Sequence, residues 1–206
     1  MTPETAAWRQ AVVDYIKAEA TPADKFGHQP RLYVLCCQIA QADASDCDDD
    51  VLFAAAWMHD LGVFLGHRPS DPAELVRWDH VPYTIARSRE LLANWGFPAE
   101  KLAAVAETIR THEAKYTPVL PEAVVLRDAD ILEQLGAIGA LRAFVKVGRD
   151  TRYHQYSDVL PILERVIDTL PGKLSLPSSR QLAEKRAVTL RDLVAAIRDE
   201  AGGHLY

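Results

Sequence analysis

The sequence predicts an all-α protein. Three observations carry that prediction. Apolar residues recur at offsets of three, four and seven along most of the 206 residues, polar–apolar alternation of the strand kind is confined to short stretches, and Pro, Gly and Asp fall where helices begin and end. Hydrophobic content of 49% with 25% charged residues is that of an ordinary globular chain, long enough to bury a sizeable core. A single domain over 1–206 is the simplest organisation.

A first helix is expected over 3–20, with Thr2 as cap and Pro3 in its first turn; Thr21-Pro22 ends it. The second helix carries His28, which opens a stripe continued by Leu32, Leu35 and Ile39, and ends near Gln41. Residues 43–50 form an acidic loop, one of whose aspartates caps the next helix. That third helix, 51–61, is apolar on all sides and belongs at the centre of the fold. Residues 63–79 read as a loop with one helical turn, because Asp71-Pro72-Ala73-Glu74 supplies a capping acid, a first-turn proline and a further acid. His67-Arg68-Pro69 lies in this loop, the kind of segment on which binding groups are commonly carried.

The fourth helix, 80–95, has the stripe Val81, Ile85, Ser88, Leu92 and Trp95, and stops at Gly96-Phe97-Pro98. The fifth starts at Pro98, runs its stripe through Leu102, Val105 and Ile109, and ends near His112. After a loop at 117–121, a long sixth helix, apolar nearly all round over 123–141, carries Asp128 and Asp130. Two further helices are expected over 159–170 and 178–200.

Polar residues stand where apolar ones are expected. His59-Asp60 follows the apolar run Ala54-Ala55-Ala56-Trp57-Met58, and His28, His80 and His112 each sit at the end of a core-facing stripe. A buried imidazole or carboxylate is costly unless paired or bound to a metal. Neighbouring helical residues point about 100° apart, so one ion can be reached by both members of the doublet. Imidazole suits zinc, iron, nickel and manganese, and carboxylate adds a preference for magnesium and manganese.

These residues carry a resemblance to the HD superfamily of metal-dependent phosphohydrolases, a helical-bundle family named for the doublet. Asp24-Lys25-Phe26-Gly27-His28-Gln29-Pro30-Arg31-Leu32 is similar to its first-histidine signature, His59-Asp60-Leu61-Gly62 to the doublet with its glycine, and Asp128-Ala129-Asp130-Ile131-Leu132 to its final motif. Ile109-Arg110-Thr111-His112-Glu113 resembles a segment that closes a helix in many members. The resemblance spans about 20–147, leaving 148–206 as a C-terminal helical extension. Ala23 and Ile131 depart from the usual histidine and basic residue, and no second histidine flanks His112, unlike the cyclic-dinucleotide phosphodiesterases of the superfamily.

What the resemblance implies is a site in which His28, His59, Asp60 and Asp130 hold a divalent ion (Mn, Mg, Ni, Zn or Fe), with His80 and His112 able to hold a second. Helical periodicity instead places Asp128 on the stripe with Val124, Ile131 and Leu135, so the final ligand lies between Asp128 and Asp130 on sequence grounds, and the family pattern selects Asp130. Asp60 would ligate the ion and orient the attacking water. Arg31, which belongs to the signature, would contact phosphate, with Lys25, Arg68 and Arg127 as further candidate contacts. The expected activity is hydrolysis of a small phosphoester or nucleotide by a metal-activated water. The same order of ligands also resembles the HD-type di-iron oxygenases, and a non-catalytic ligand-binding domain is a third alternative.

The rest of the composition excludes other classes. A net charge of −6 is unsuited to a nucleic-acid polymer, which calls for a basic surface. The start of the sequence has no basic-then-apolar signal pattern, and no apolar run reaches about 18 residues, so a cytoplasmic protein without a membrane partner is expected. Cys36, Cys37 and Cys47 match neither a disulfide framework nor a Cys-x-x-Cys zinc site and read as reduced packing residues. Asp46, Asp48, Asp49 and Asp50 lack the glycine and distal glutamate of a calcium loop and read as a solvated acidic loop. Trp57, Trp78 and Trp95 are expected in the core. Substrate identity and oligomeric state have no signal in the sequence.

Overall fold

The computed structural model describes residues 7–149 and 153–206. Among these residues the chain is all-α, with ten helices and several 3-10 turns. It divides into two compact units, one up to Arg127 and one from Asp128 onward, and the division falls within a helix.

The first unit contains α1 (Ala7–Glu19), α2 (His28–Ala42), α3 (Asp49–Met58), the one-turn α4 (Pro72–Leu75), α5 (His80–Asn94), α6 (Leu102–Arg110) and the start of α7 (Pro121–Glu133). The expected start of the first helix at Thr2-Pro3 lies outside the described residues. Every residue of α3 from Val51 to Met58 is buried, and α1, α2 and α6 all pack on it. A helix apolar on every side has no face to offer water, so it ends up in the middle. Full burial of a side chain such as Leu52 or Met58 contributes on the order of 1.5–3 kcal/mol.

The acidic run before α3 is more than the solvated loop expected. The Asp48 carboxylate accepts from the backbone N–H groups of Asp50 (2.9 Å) and Val51 (3.3 Å) and so caps the helix, as the sequence suggested for one of these acids. It also pairs with Lys101, which bridges to Asp50 at 2.8 Å. Arg9 donates to Asp49 (2.7 Å) and Asp50 (2.6 Å) while lying over the Phe53 ring, and the Tyr33 hydroxyl donates to Asp49 at 2.7 Å. The acids therefore neutralise cations from α1 and from the turn before α6. Asp46 stays exposed.

The helix that ends in the doublet is shorter than expected. α3 stops at Met58, and a 3-10 turn follows at Leu61–Val63. Asp71 caps α4 by accepting from Ala73 and Glu74 N–H, and Asp79 caps α5 by accepting from Val81 N–H. Gly96, with φ +79°, turns the chain out of α5. Trp57 is buried, whereas Trp78 and Trp95 are only half-buried. The three cysteines are unbridged, and Cys36 is buried.

The second unit contains the rest of α7, α8 (Gly136–Phe144), α9 (Leu160–Thr169) and α10 (Pro177–Ala201), with α10 packed on α8 and α9. The single long helix expected over 123–141 is two helices. Gln134 and Leu135 N–H tighten onto the carbonyls of Ile131 and Leu132, and Gly136 follows with φ +74°. Arg186 of α10 donates to the Leu132 carbonyl at 2.6 Å and satisfies one of the groups a helix end leaves open. Continuous apolarity hid this break, because one glycine in such a run reads as a small core residue. Among the described residues no helix is long and apolar enough to cross a membrane.

Candidate metal centre

Five of the residues singled out in the sequence meet in the first unit: His28, His59, Asp60, His80 and His112. His28 is the first residue of α2, His59 and Asp60 follow the last turn of α3, His80 opens α5, and His112 follows α6. Each is therefore delivered by the first turn of a helix or by the residues just past its last turn.

His59 and His112 use the same device. The Nδ1 of His59 lies 3.0 Å from the carbonyl of Ala56, and that of His112 lies 2.6 Å from the carbonyl of Ile109, in each case three residues back. A carbonyl can only accept, so Nδ1 carries the proton and Nε2 presents its lone pair. The ring thus caps its own helix and is held in one tautomer, the arrangement a metal-binding imidazole requires.

Asp60 is the hub. Its Oδ2 lies 3.5 Å from His59 Nε2 and 4.0 Å from His28 Nε2, and its Oδ1 lies 3.5 Å from His80 Nε2. The rings of His59 and His112 are 5.0 Å apart and those of His80 and His112 5.7 Å. Two groups result, His28–His59–Asp60 and Asp60–His80–His112, each with its donor atoms within 4.8 Å of one another. The 3.5–4.0 Å separations exceed hydrogen-bond length. The two 3.5 Å pairs suit ligands that share an ion, since donors about 2.0–2.2 Å from one metal lie roughly 3–3.5 Å apart, and the 4.0 Å His28 pair lies a few tenths of an ångström beyond that. The His80 Nε2 is buried with no hydrogen-bond partner among the described residues. These donors fit a divalent cation of the borderline or hard class.

Electrostatics agree with the geometry. Burial alone would raise the Asp60 carboxyl, but positive charge on the facing His59, His28, His80 and His112, when these rings are protonated, outweighs it and holds the group well below the usual carboxylate range. The side chains of His28 and His59 are nearly sealed, at 6% and 1% exposure, whereas His80 and Asp60 keep 17% and 22%. The open side of the cluster is therefore the Asp60–His80 side.

Gly62 makes this closeness possible. A Cβ there would fall 2.8 Å from the His80 carbonyl and 2.9 Å from Thr84 Oγ1. Its N–H donates to Thr84 Oγ1 at 3.0 Å, and its carbonyl accepts from Trp78 Nε1 at 2.8 Å. The turn after the doublet thereby seats directly on the first turns of α5. Sequence reading noted the glycine but missed Thr84, whose one signal was its position one turn after His80.

Lys25 is half-buried in the 3-10 turn before α2, and Arg31 is exposed one turn after His28, its guanidinium passing over Gly27. Arg68 is half-buried in the connection after the doublet. Arg127 is buried in α7 and already engaged. In the second unit, Asp130 is half-buried beside Gln134. The fully buried Asp128 accepts from the backbone N–H groups of Ser175 (2.9 Å) and Leu176 (2.8 Å) with its carboxylate, which ties α7 to the start of α10. Periodicity placed Asp128 on the buried stripe correctly, and its carboxylate makes that connection.

Comparison with known proteins gives the family and the fold. The HD domain family matches residues 26–135. Among solved structures, YpgQ of Bacillus subtilis in complex with ADP is similar at a TM-score of 0.70 and 18% identity, covering 95% of this chain and 98% of that one. An HD-superfamily hydrolase of Bacillus thuringiensis is similar at 0.67 and 16%, covering 95% and 97%. A predicted HD superfamily hydrolase from an uncultured Thermotogales bacterium is similar at 0.62 and 21%, covering 93% and 91%. At these identities the likeness is one of fold. No curated protein matches the chain.

Proposed function

Because this chain belongs to the HD domain family, whose match covers more than half of it, we propose that it is a divalent-metal-dependent phosphohydrolase acting on a small phosphoester or nucleotide. The observation that carries this reading is the division of labour at Asp60. One carboxylate oxygen faces His28 and His59 and the other faces His80, the pattern of a carboxylate shared by two ions.

In this reading His28, His59 and Asp60 would hold one ion, and Asp60, His80 and His112 would hold a second. Asp130 joins the first set on the strength of the sequence pattern alone. When bound, a divalent cation supplies a Lewis acid for a phosphoryl oxygen and a source of hydroxide at neutral pH. The protein's own groups do the rest. Ala56 and Ile109 carbonyls keep His59 and His112 neutral on Nε2 and correctly turned. Asp60, on the open side, accepts a hydrogen bond from the attacking water and orients it. Phosphoryl transfer needs mainly positioning and charge neutralisation, for which Arg31 and Lys25 flank His28, and Arg68 follows the doublet. Arg127 is the weakest of the four cations as a substrate contact, because it is buried and engaged.

The test is metal analysis followed by a panel of nucleotides, phosphomonoesters and cyclic phosphodiesters with Mn, Mg, Ni, Zn and Fe. Nucleotides head the panel because the similarly folded YpgQ holds ADP. Phosphate or pyrophosphate release with a redox-inert metal is the expected result. The shared Asp60 suits a di-iron oxygenase equally well, so oxygen uptake is followed in parallel. Substrate-dependent uptake with iron, and no phosphate release with any metal, would reverse the proposal; silence on the whole panel with a full metal complement would favour a ligand-binding domain.

A further inference from the structure

Nineteen residues, 61–79, separate Asp60 from His80. Such a connection constrains its ends weakly unless it is tied down. Its middle is tied down by the backbone bond from Leu65 N–H to the Thr21 carbonyl (3.1 Å), by the fully buried Phe64 ring and by the His67 side chain. The His67 side chain is only 7% exposed, yet both ring nitrogens are engaged: Nε2 lies 3.0 Å from Glu19 Oε2 and Nδ1 lies 2.8 Å from the Tyr83 hydroxyl.

The Glu19 carboxylate only accepts, so Nε2 carries the proton and donates to it, while Nδ1 meets the Tyr83 hydroxyl, which can serve as either partner. Burial pushes the Tyr83 phenol above its ordinary range. Glu19 is the last residue of α1, whose buried face packs on α3. Tyr83 lies on α5 three residues after His80, on the neighbouring part of the same helical face. The chain of contacts α1–Glu19–His67–Tyr83 therefore ends beside the first residue of α5, and that residue is His80.

We propose that His67 is a positioning residue: acting through Tyr83, it holds the first turn of α5 so that His80 stays opposed to Asp60 Oδ1. The inference rests on the proposed reading of His80 as a ligand of a second ion. The core face of α5, with Val81, Thr84, Leu91 and Leu92, fixes the helix as a whole. The His67 contact adds control of its exposed end, where fraying would move the imidazole first. The same contact engages both nitrogens of the buried His67 ring.

The experiment titrates wild type, His67→Gln, Tyr83→Phe, the double variant of these two, and Glu19→Gln with Mn²⁺ by equilibrium dialysis, and melts each protein in EDTA. Wild type is expected to bind two ions per chain. His67→Gln and Tyr83→Phe are each expected to weaken the second ion by about tenfold or more while leaving the first unchanged, the size typical of outer-shell losses. The double variant should be no worse than His67→Gln alone, because both break one path. Glu19→Gln keeps an acceptor for Nε2–H and should bind nearly as wild type. If His67→Gln fails to fold, Tyr83→Phe, which loses a single oxygen, carries the test. Two ions bound with wild-type affinity in both variants, or both ions weakened alike, would overturn the positioning role and leave the two-ion reading standing. A single ion in wild type would overturn that reading together with this one.

Discussion

Replacing Gly62 by alanine tests how the doublet is brought to α5. The new Cβ would lie 2.8 Å from the His80 carbonyl oxygen, 2.9 Å from Thr84 Oγ1 and 3.0 Å from His80 Cβ. Comfortable contacts between such atoms begin near ~3.5 Å, so the first turn of α5 must retreat by on the order of 0.7 Å. Neither side can yield cheaply, since Gly62 N–H bonds to Thr84 and its carbonyl to Trp78. Overpacking of this kind costs about 1–3 kcal/mol. For a chain of this size that is a fall in Tm of roughly 2–12 °C. The retreat also moves His80 away from Asp60, now 3.5 Å apart, and should weaken metal binding about tenfold. Differential scanning calorimetry and metal titration measure the two effects. Gly172→Ala is the control, because a Cβ there meets nothing within 4 Å, and its effect should stay within about 0.5 kcal/mol. Wild-type Tm and metal affinity in Gly62→Ala would refute the argument.

Other expectations follow from the same geometry. His59→Ala or Asp60→Ala should abolish tight metal retention, and metal at 100 times its Kd should stabilise wild type by about 2.7 kcal/mol and these variants by much less; wild-type stoichiometry in the double variant after mild chelation would place the site elsewhere. Asp128→Ala should cost about 1–3 kcal/mol, because two N–H groups lose their acceptor, while keeping metal, and Asp130→Asn should lose metal with little change in metal-free Tm; the reverse pattern would exchange their roles. Burial raises the Asp50 carboxyl, but hydrogen bonds from Arg9 and Lys101 outweigh it, so its pKa is lowered on folding. Its contribution is therefore present above the unfolded value near ~3.9 and is lost as pH falls through the lower folded value. Asp50→Asn should melt about 2–4 °C below wild type at pH 7, for roughly 1 kcal/mol in a half-exposed network, and the gap should close in acid. A gap independent of pH would show that the ion pairs contribute nothing.

The amino-acid sequence determined the helices, because their signals are local. Periodic stripes, Asp48, Asp71 and Asp79 as caps, and Gly96 as a stop act within one or two turns and operate in any context. It also marked the five residues of the candidate site, since each histidine interrupts an apolar stripe at a helix end and the doublet follows an apolar run. Tertiary structure decided what depended on partners far along the chain. The break at Gly136 coincides with Arg186, fifty residues on, capping the end of α7. Asp128 closes on N–H groups 47 and 48 residues away, and Asp50 in the first turn of α3 finds Arg9 and Lys101. The division of Asp60 between two sets of imidazoles, and the seating of Gly62 on α5, depend on how α3 and α5 approach each other. Periodicity assigns a face to a residue. It carries no information on which distant group that face will meet, because that is settled by packing of the whole unit.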